Sequence, residues 1–84
     1  METLTQREAV AAEVRAELAR KQITASTVAE AIQMPTSTLS RRLKADTPFT
    51  VDELAAIARV LGTTPGAFFY PSRSPRHEEM QAAA

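Results

Sequence analysis

A polar stretch near the middle of the chain, residues 35–44, combines hydroxyl and cationic side chains on one side of a predicted helix. At about 100° per residue, one sector of this helix holds only hydroxyls and cations: Thr36, Ser37, Ser40, Arg41 and Lys44. Leu39 and Leu43 lie on the opposite side. The polar sector has no carboxylate, whereas an ordinary solvated helix usually mixes both signs of charge.

Hydroxyls and cations in this arrangement suit contact with a nucleic-acid duplex. A ten-residue helix is roughly 15 Å long, and an α-helix fits the major groove of B-DNA. Short hydroxyls allow close approach to base edges and phosphates, and arginine can donate two hydrogen bonds to guanine. The stretch therefore predicts a surface that reads double-stranded DNA. The alternative is a solvated helix of a small bundle, with no ligand.

The distribution of charge supports this interpretation better than the total charge does. The 84 residues have no formal net charge, so no global positive field attracts a polyanion. Residues 33–47 nevertheless carry a net charge of +2, because three basic side chains stand against one acidic side chain. The excess of positive charge thus lies on the same stretch as the hydroxyls.

Length and composition limit the class of protein. Eighty-four residues predict one domain with a small core. The chain contains no cysteine, which fits a reducing cytoplasm, and no apolar run approaches the roughly 20 residues of a membrane span. Two glycines provide no glycine-rich phosphate loop, and the single histidine, His77, has no partners for a metal site. We therefore expect a cytoplasmic protein that is not an enzyme and needs no cofactor or metal.

A capping box formed by Thr5 and Glu8 predicts the start of a first helix. Its apolar residues recur every four positions and predict the buried side: Val10, Val14 and Leu18, with Ala11 beside them. The charged residues fit the solvated side: Arg7, Glu13, Arg15, Glu17 and Arg20. The helix is predicted to end at Lys21 and Gln22.

Two shorter helices follow and bring the polar stretch into place. The second is predicted from Thr24, as its N-cap, to about Ile32, with Val28 and Ala29 directed inward. Pro35 ends this segment because it lacks a backbone N–H and disfavours helical geometry before it. A third helix is predicted from Pro35 or Thr36 to Lys44.

A second capping box, Thr50 to Glu53, predicts a fourth helix that ends at Gly62. Its apolar stripe has the spacing of a buried helix face: Leu54, Ile57, Ala58 and Leu61. Thr64 and Pro65 predict a short fifth helix. Further core candidates are Leu4, Phe49, Phe68 and Phe69. We expect an all-α fold of five helices in a domain of residues 1–70, followed by a flexible tail, residues 71–84.

The stretch Thr24 to Lys44 resembles the helix-turn-helix of the Cro and lambda-repressor-like (XRE) family, and TPFTVDELAAIARVLGTTPGAFF resembles that family's fourth and fifth helices. The resemblance covers residues 5–70. Small Ala29 stands where two backbones approach, and larger residues fill the angle between the helices. Two positions differ from the family pattern: Gln33 stands at a corner where glycine is common, and Ala45 follows the third helix. Gln33 requires either a left-handed residue or a different turn.

The resemblance implies a transcriptional regulator, most simply a bacterial or phage repressor that occupies an operator. One small domain without net charge would bind DNA weakly, so we expect a homodimer that binds two half-sites about one helical turn apart. The dimer surface is expected at the fifth helix and the segment from Phe68 to Pro71. Base contacts are implied for four residues of the third helix: Thr36, Ser37, Ser40 and Arg41. Contacts with the DNA backbone are implied for Thr24, Ser26 and Thr27 at the start of the second helix, and for Arg42, Lys44 and Thr47. Arg42 is the weakest of these, because its angle turns it towards the domain.

A second class of function remains open from the sequence. The chain could be an antitoxin or adaptor whose helix-turn-helix is a docking surface and whose tail, residues 71–84, binds a protein partner. An antitoxin that also represses its own promoter would combine both roles.

Overall fold

The computed structural model describes residues 4–69, and their regular structure is entirely helical. The elements are α1 (Gln6–Lys21), α2 (Ala25–Ala31), α3 (Thr36–Leu43), α4 (Val51–Leu61) and a 3₁₀ turn (Pro65–Phe68). No strand occurs between residues 4 and 69, so the all-α class is confirmed. The predicted tail and the end of the predicted domain lie outside the described residues. No helix of the described part is long and apolar enough to cross a membrane.

The count of five α-helices is wrong, because the segment after Gly62 closes only a 3₁₀ turn. Ala67 donates its N–H to the Thr64 carbonyl at 3.1 Å, and Phe69 donates to Gly66 at 3.0 Å. Both bonds span three residues, the spacing of a 3₁₀ helix. Four residues that begin with a proline and a glycine form one turn here.

Side-chain caps set the starts of three helices where the sequence predicts them. Thr5 and Glu8 exchange both bonds of a capping box before α1, at 3.2 and 2.9 Å, and Thr50 and Glu53 do the same before α4. The Thr24 hydroxyl accepts a backbone N–H of the first turn of α2 at 3.1 Å. These bonds satisfy N–H groups that have no partner within the helix.

Each of the four α-helices ends in the same pair of backbone hydrogen bonds. At each end, two consecutive residues donate N–H groups back over three and five residues, which is the Schellman motif. These residues follow α1 and α4 directly, and they follow α2 and α3 after one further residue. Its left-handed residues are Gln22 (φ 57°), Gln33 (φ 60°), Ala45 (φ 65°) and Gly62 (φ 74°). Gln33 therefore adopts the left-handed conformation that the sequence left open, and Ala45 does so too. Three of these four positions place a Cβ atom in a conformation that disfavours it by about 1–2 kcal/mol.

The core contains the apolar stripes predicted for α1 and α4, joined by residues of α2, α3 and the 3₁₀ turn: Val10, Val14, Leu18, Val28, Ala29, Leu39, Leu54, Ile57, Ala58, Leu61 and Phe68. Phe49 is partly buried against this cluster. The predictions for Leu4 and Phe69 are wrong, since these residues are 57% and 40% exposed. Leu4 precedes the N-cap of α1, where an apolar residue usually packs against the fourth helical residue, but that residue is the small Ala9.

α3 lies between α2 and α1, and contacts both. The side chain of Ala29 in α2 is small and completely buried, so the two helices can approach closely. Leu39 of α3 is 1% exposed. The corner between them is tied by the Met34 N–H, which donates to the Ala29 carbonyl at 2.8 Å. One side of α3 is therefore fixed against the domain, and its other side faces solvent.

Candidate nucleic-acid interface

The outer face of α3 carries the polar residues that the sequence singled out. Thr36, Ser37 and Arg41 are exposed, and Ser40 is partly buried. Among residues 4–69, none of these four side chains makes a hydrogen bond or ion pair. The face thus presents three hydroxyls and a guanidinium that are free to bind a ligand outside the domain.

The N-terminus of α3 has no side-chain cap. Pro35 is the N-cap residue and provides no side-chain bond to the first turn. Its carbonyl accepts the N–H groups of Thr38 and Leu39, at 3.0 and 3.1 Å. A helix N-terminus carries a partial positive charge and favours anions. The N-terminus of α3 and the Arg41 guanidinium therefore both attract phosphate.

The start of α2, the helix that precedes α3 in the sequence, also presents hydroxyls. Thr24, Ser26 and Thr27 are all exposed. Thr24 caps the helix, and its hydroxyl lies 2.9 Å from that of Thr27. Capping does not consume all the hydrogen-bonding capacity of a hydroxyl, which has one donor and two acceptor sites. The predicted contact with the DNA backbone stays a prediction for these three residues.

Arg42 lies on the inner side of α3 and is held within the domain. Its Nε and Nη2 atoms each donate to one carboxylate oxygen of Glu53 at 3.0 Å, and its Nη1 atom donates to the Thr47 hydroxyl at 2.7 Å. The Glu53 carboxylate also accepts the Thr50 N–H at the start of α4. Arg42 and Thr47, both predicted to contact phosphate, thus have partners that connect α3 to α4.

This bidentate pair shifts the acidity of both groups. The hydrogen bonds from Arg42 lower the pKa of Glu53 against the opposing effect of burial, and bonds from Thr50 lower it further. The bonds to Glu53 raise the pKa of Arg42 above its usual value. Both shifts favour the charged forms, so the connection between α3 and α4 is an ion pair at neutral pH.

The ion pair changes the charge that the surface can offer. Because Glu53 of α4 neutralises Arg42, the cations of residues 33–47 that have no partner in the described part of the chain are Arg41 and Lys44. Both are exposed. Within residues 33–47, the positive charge available for DNA is therefore limited to these two side chains and the N-terminus of α3.

Two arginines that the sequence placed on the solvated side of α1 reach α3 instead. Arg15 donates from Nη1 to the carbonyl of Leu43, the last residue of α3. Arg7 donates from Nη1 to the carbonyl of Asp46 at 3.2 Å. The partners are 28 and 39 residues away in the chain, so no local pattern could have identified them.

One comparison with known proteins, that with a family model, agrees with this geometry. No curated protein and no solved structure matches the chain. The family model described as Cro/C1-type HTH DNA-binding domain matches residues 13–71, which include the last part of α1, all of α2, α3 and α4, and the 3₁₀ turn. The chain therefore belongs to the family of Cro/C1-type helix-turn-helix DNA-binding domains.

Proposed function

We propose that the protein is a sequence-specific transcriptional regulator, a repressor of bacterial or phage type, that occupies an operator in double-stranded DNA. One observation carries the proposal: the outward face of α3, the second helix of the helix-turn-helix, presents three hydroxyls and a guanidinium without partners in the described residues. Membership of the Cro/C1-type family makes DNA the matching ligand. The second helix of this motif lies in the major groove and contacts base edges.

Each part of the surface has a role in this proposal. Base contacts come from the outer face of α3: Thr36, Ser37, Ser40 and Arg41. Phosphate contacts come from the start of α2 and from the end of α3: Thr24, Ser26, Thr27 and Lys44. Arg42 and Thr47 remain candidates for phosphate contact, but their bonds within the domain give them the more definite task of fastening α3 to α4.

A homodimer follows from the small amount of positive charge. Affinity for DNA grows with the number of phosphates neutralised, and a chain without net charge that offers two cations from residues 33–47 neutralises few. Two copies on a palindromic site double the contacts, with half-sites about one helical turn apart. Phe68 is 2% exposed and belongs to the core, whereas Phe69 is 40% exposed. We place the dimer contact at Phe69, beside an apolar groove of about 230 Å³ between α1 and the start of α4.

A reporter assay tests repression. A duplex selected by the protein is placed across a promoter, and the protein is expressed together with the reporter gene. We expect expression to fall at least tenfold, and we expect a scrambled duplex or the Arg41→Ala variant to abolish most of this effect. An increase in expression, or equal repression with the scrambled duplex, would contradict the proposal.

A further inference from the structure

The C-terminal end of α3 is completed by a side chain from another helix. The Schellman motif supplies two of its partners: Asp46 donates its N–H to the Arg41 carbonyl and Ala45 donates to Arg42, both at 3.0 Å. The Ser40 carbonyl accepts the Lys44 N–H at 3.0 Å. The motif provides no partner for the carbonyl of Leu43, and Arg15 of α1 binds this group.

Arg7 contacts the same region two turns earlier along α1. It donates to the Asp46 carbonyl at 3.2 Å, so the two arginines bind on either side of Ala45. Ala45 is held at φ 65°, a conformation that an L-residue disfavours. Two cations also lie at the negative end of the α3 dipole, where positive charge is favourable. The contacts therefore hold a strained turn in place.

The other contacts of the last turn of α3 fix its inner side, whereas Arg15 and Arg7 hold its end. Leu39 is the fully buried residue of α3, and Leu43 is only partly buried. Arg42 fastens the inner side to Glu53. Arg41 lies in this last turn, and its carbonyl accepts the Asp46 N–H of the Schellman motif. Movement of the turn therefore moves the Arg41 guanidinium as well.

We propose that Arg15 and Arg7 are positioning residues of the DNA-binding surface, which clamp the end of α3 so that Arg41 meets one base pair in a fixed orientation. The inference rests on the proposed function. Neither arginine needs to touch DNA in this account. Loss of the clamp reduces discrimination at the base pair that Arg41 reads, while contacts made by the first turn of α3 persist.

A direct phosphate contact by Arg15, which is exposed, is the competing explanation. The two explanations predict different binding data. A lost phosphate contact weakens all sequences alike and reduces the salt dependence of binding by about one counterion. A lost clamp changes the preference between sequences and leaves the salt dependence unchanged.

The experiment compares Arg15→Gln, Arg15→Lys and a control, Arg20→Gln, in the full chain. Arg20 is a suitable control because it pairs with Glu17 of its own helix at 2.6 Å, so its loss removes the same charge from α1 without affecting α3. Should Arg15→Gln fail to fold, as judged by circular dichroism, Arg7→Gln replaces it. This variant removes only the bond to Asp46.

Hydrogen exchange of the free protein is the first measurement. In Arg15→Gln, the amides of Ala45 and Asp46 should exchange at least fivefold faster relative to Ala58 in α4. In Arg20→Gln the ratio should be unchanged, and Arg15→Lys, which keeps a cationic donor, should recover at least half of the protection. Equal protection of Ala45 and Asp46 in Arg15→Gln and the unmodified protein would overturn the clamp.

Binding to single-base variants of a selected duplex is the second measurement. The preference at the base pair identified by Arg41→Ala should fall at least fivefold in Arg15→Gln, with affinity for unrelated duplexes within twofold. Uniform weakening with a reduced salt dependence would overturn the inference in favour of a phosphate contact. If the unmodified protein shows no preference among duplexes, the proposed function fails, while the exchange measurement still tests the clamp.

Discussion

At the residue scale, two neighbouring arginines of α3 have opposite roles because they differ by about 100° around the helix. Arg41 is exposed and has no partner among residues 4–69, whereas Arg42 makes a bidentate pair with Glu53. Composition alone would count them as equal contributions to a basic surface. Their geometry leaves Arg41 free for the DNA contact that we propose and holds Arg42 within the domain.

Replacing Arg41 with Ala should reduce discrimination at one base pair by about 1–3 kcal/mol, because a bidentate contact with guanine distinguishes it from other bases. Binding titrations with single-base variants of the selected duplex measure this change. Lys44→Ala is the matched control and should weaken all duplexes alike, with a smaller salt dependence. Uniform weakening by Arg41→Ala would assign this residue to phosphate instead.

The Arg42–Glu53 pair makes part of the stability depend on pH. The pKa of Glu53 is lowered from its usual value of 4.5, so the charged form is bound more favourably in the folded state than in the unfolded state. Its contribution is complete above pH 4.5 and is lost as pH falls through the lower, folded-state pKa. This loss on acidification is the expected sign for a carboxylate that gains partners on folding.

Glu53→Gln should therefore lower the free energy of unfolding by about 1 kcal/mol at pH 6, less than the roughly 1.5–3 kcal/mol of a hydrogen bond with a charged group, because the pair is partly exposed to solvent. The difference from the unmodified protein should shrink as the pH is lowered towards 3. Urea unfolding at several pH values measures it, with the exposed Glu30→Gln as a control outside this network. A difference that stays constant from pH 6 to pH 3 would contradict the role given to Glu53.

At the scale of elements, the starts of the helices were predictable because their signals are local. The Thr5–Glu8 and Thr50–Glu53 boxes form as the sequence predicts, and the apolar stripes of α1 and α4 are buried. Long arginine side chains could not be placed in this way. Arg7 and Arg15 have the pattern of a solvated face, and only the packing of α1 against α3 brings them to backbone carbonyls far along the chain.

The backbone conformation at the ends of the helices was less predictable than their positions, because three of them use a residue other than glycine. Gly62 follows the usual preference, but Gln22, Gln33 and Ala45 adopt the left-handed conformation as well. Burial explains why the chain accepts the strain: Ile23 and Met34, which follow two of these residues, pack against the core. Tertiary packing thus overrides local preference at these corners.

Ala45→Gly should stabilise the domain by about 0.5–1 kcal/mol, since glycine removes about 1–2 kcal/mol of strain and loses about 0.5–1 kcal/mol in additional chain entropy. Thermal and urea unfolding measure the effect. Ala56→Gly is the matched control within α4 and should destabilise by about 1 kcal/mol. Destabilisation by both substitutions would show that Ala45 is not strained.

At the scale of the whole molecule, one copy of the small neutral domain neutralises few phosphates, so we propose that two copies bind DNA together. Phe69→Asp should reduce self-association in analytical ultracentrifugation and remove cooperativity on a two-half-site duplex. Affinity for a single half-site should persist, because Phe69 is 40% exposed and lies away from α3 in the chain. Unchanged cooperativity would place the dimer contact elsewhere.

Deletion of residues 71–84 distinguishes a transcriptional regulator from an antitoxin or adaptor. A regulator that binds DNA through α3 should retain its affinity for the selected duplex without this segment. Fluorescence anisotropy with the full and shortened chains measures the two affinities. Loss of a co-purifying protein together with intact folding would instead support an adaptor role for the segment.

Selection of duplexes from a random library by the full chain, followed by sequencing, tests sequence-specific recognition by α3. We expect enrichment of a palindrome whose two halves are centred about one helical turn apart, roughly 10–10.5 base pairs. The same selection with Arg41→Ala should relax one position in each half. No enrichment at physiological salt, with equal binding of unrelated duplexes, would contradict sequence-specific recognition by α3.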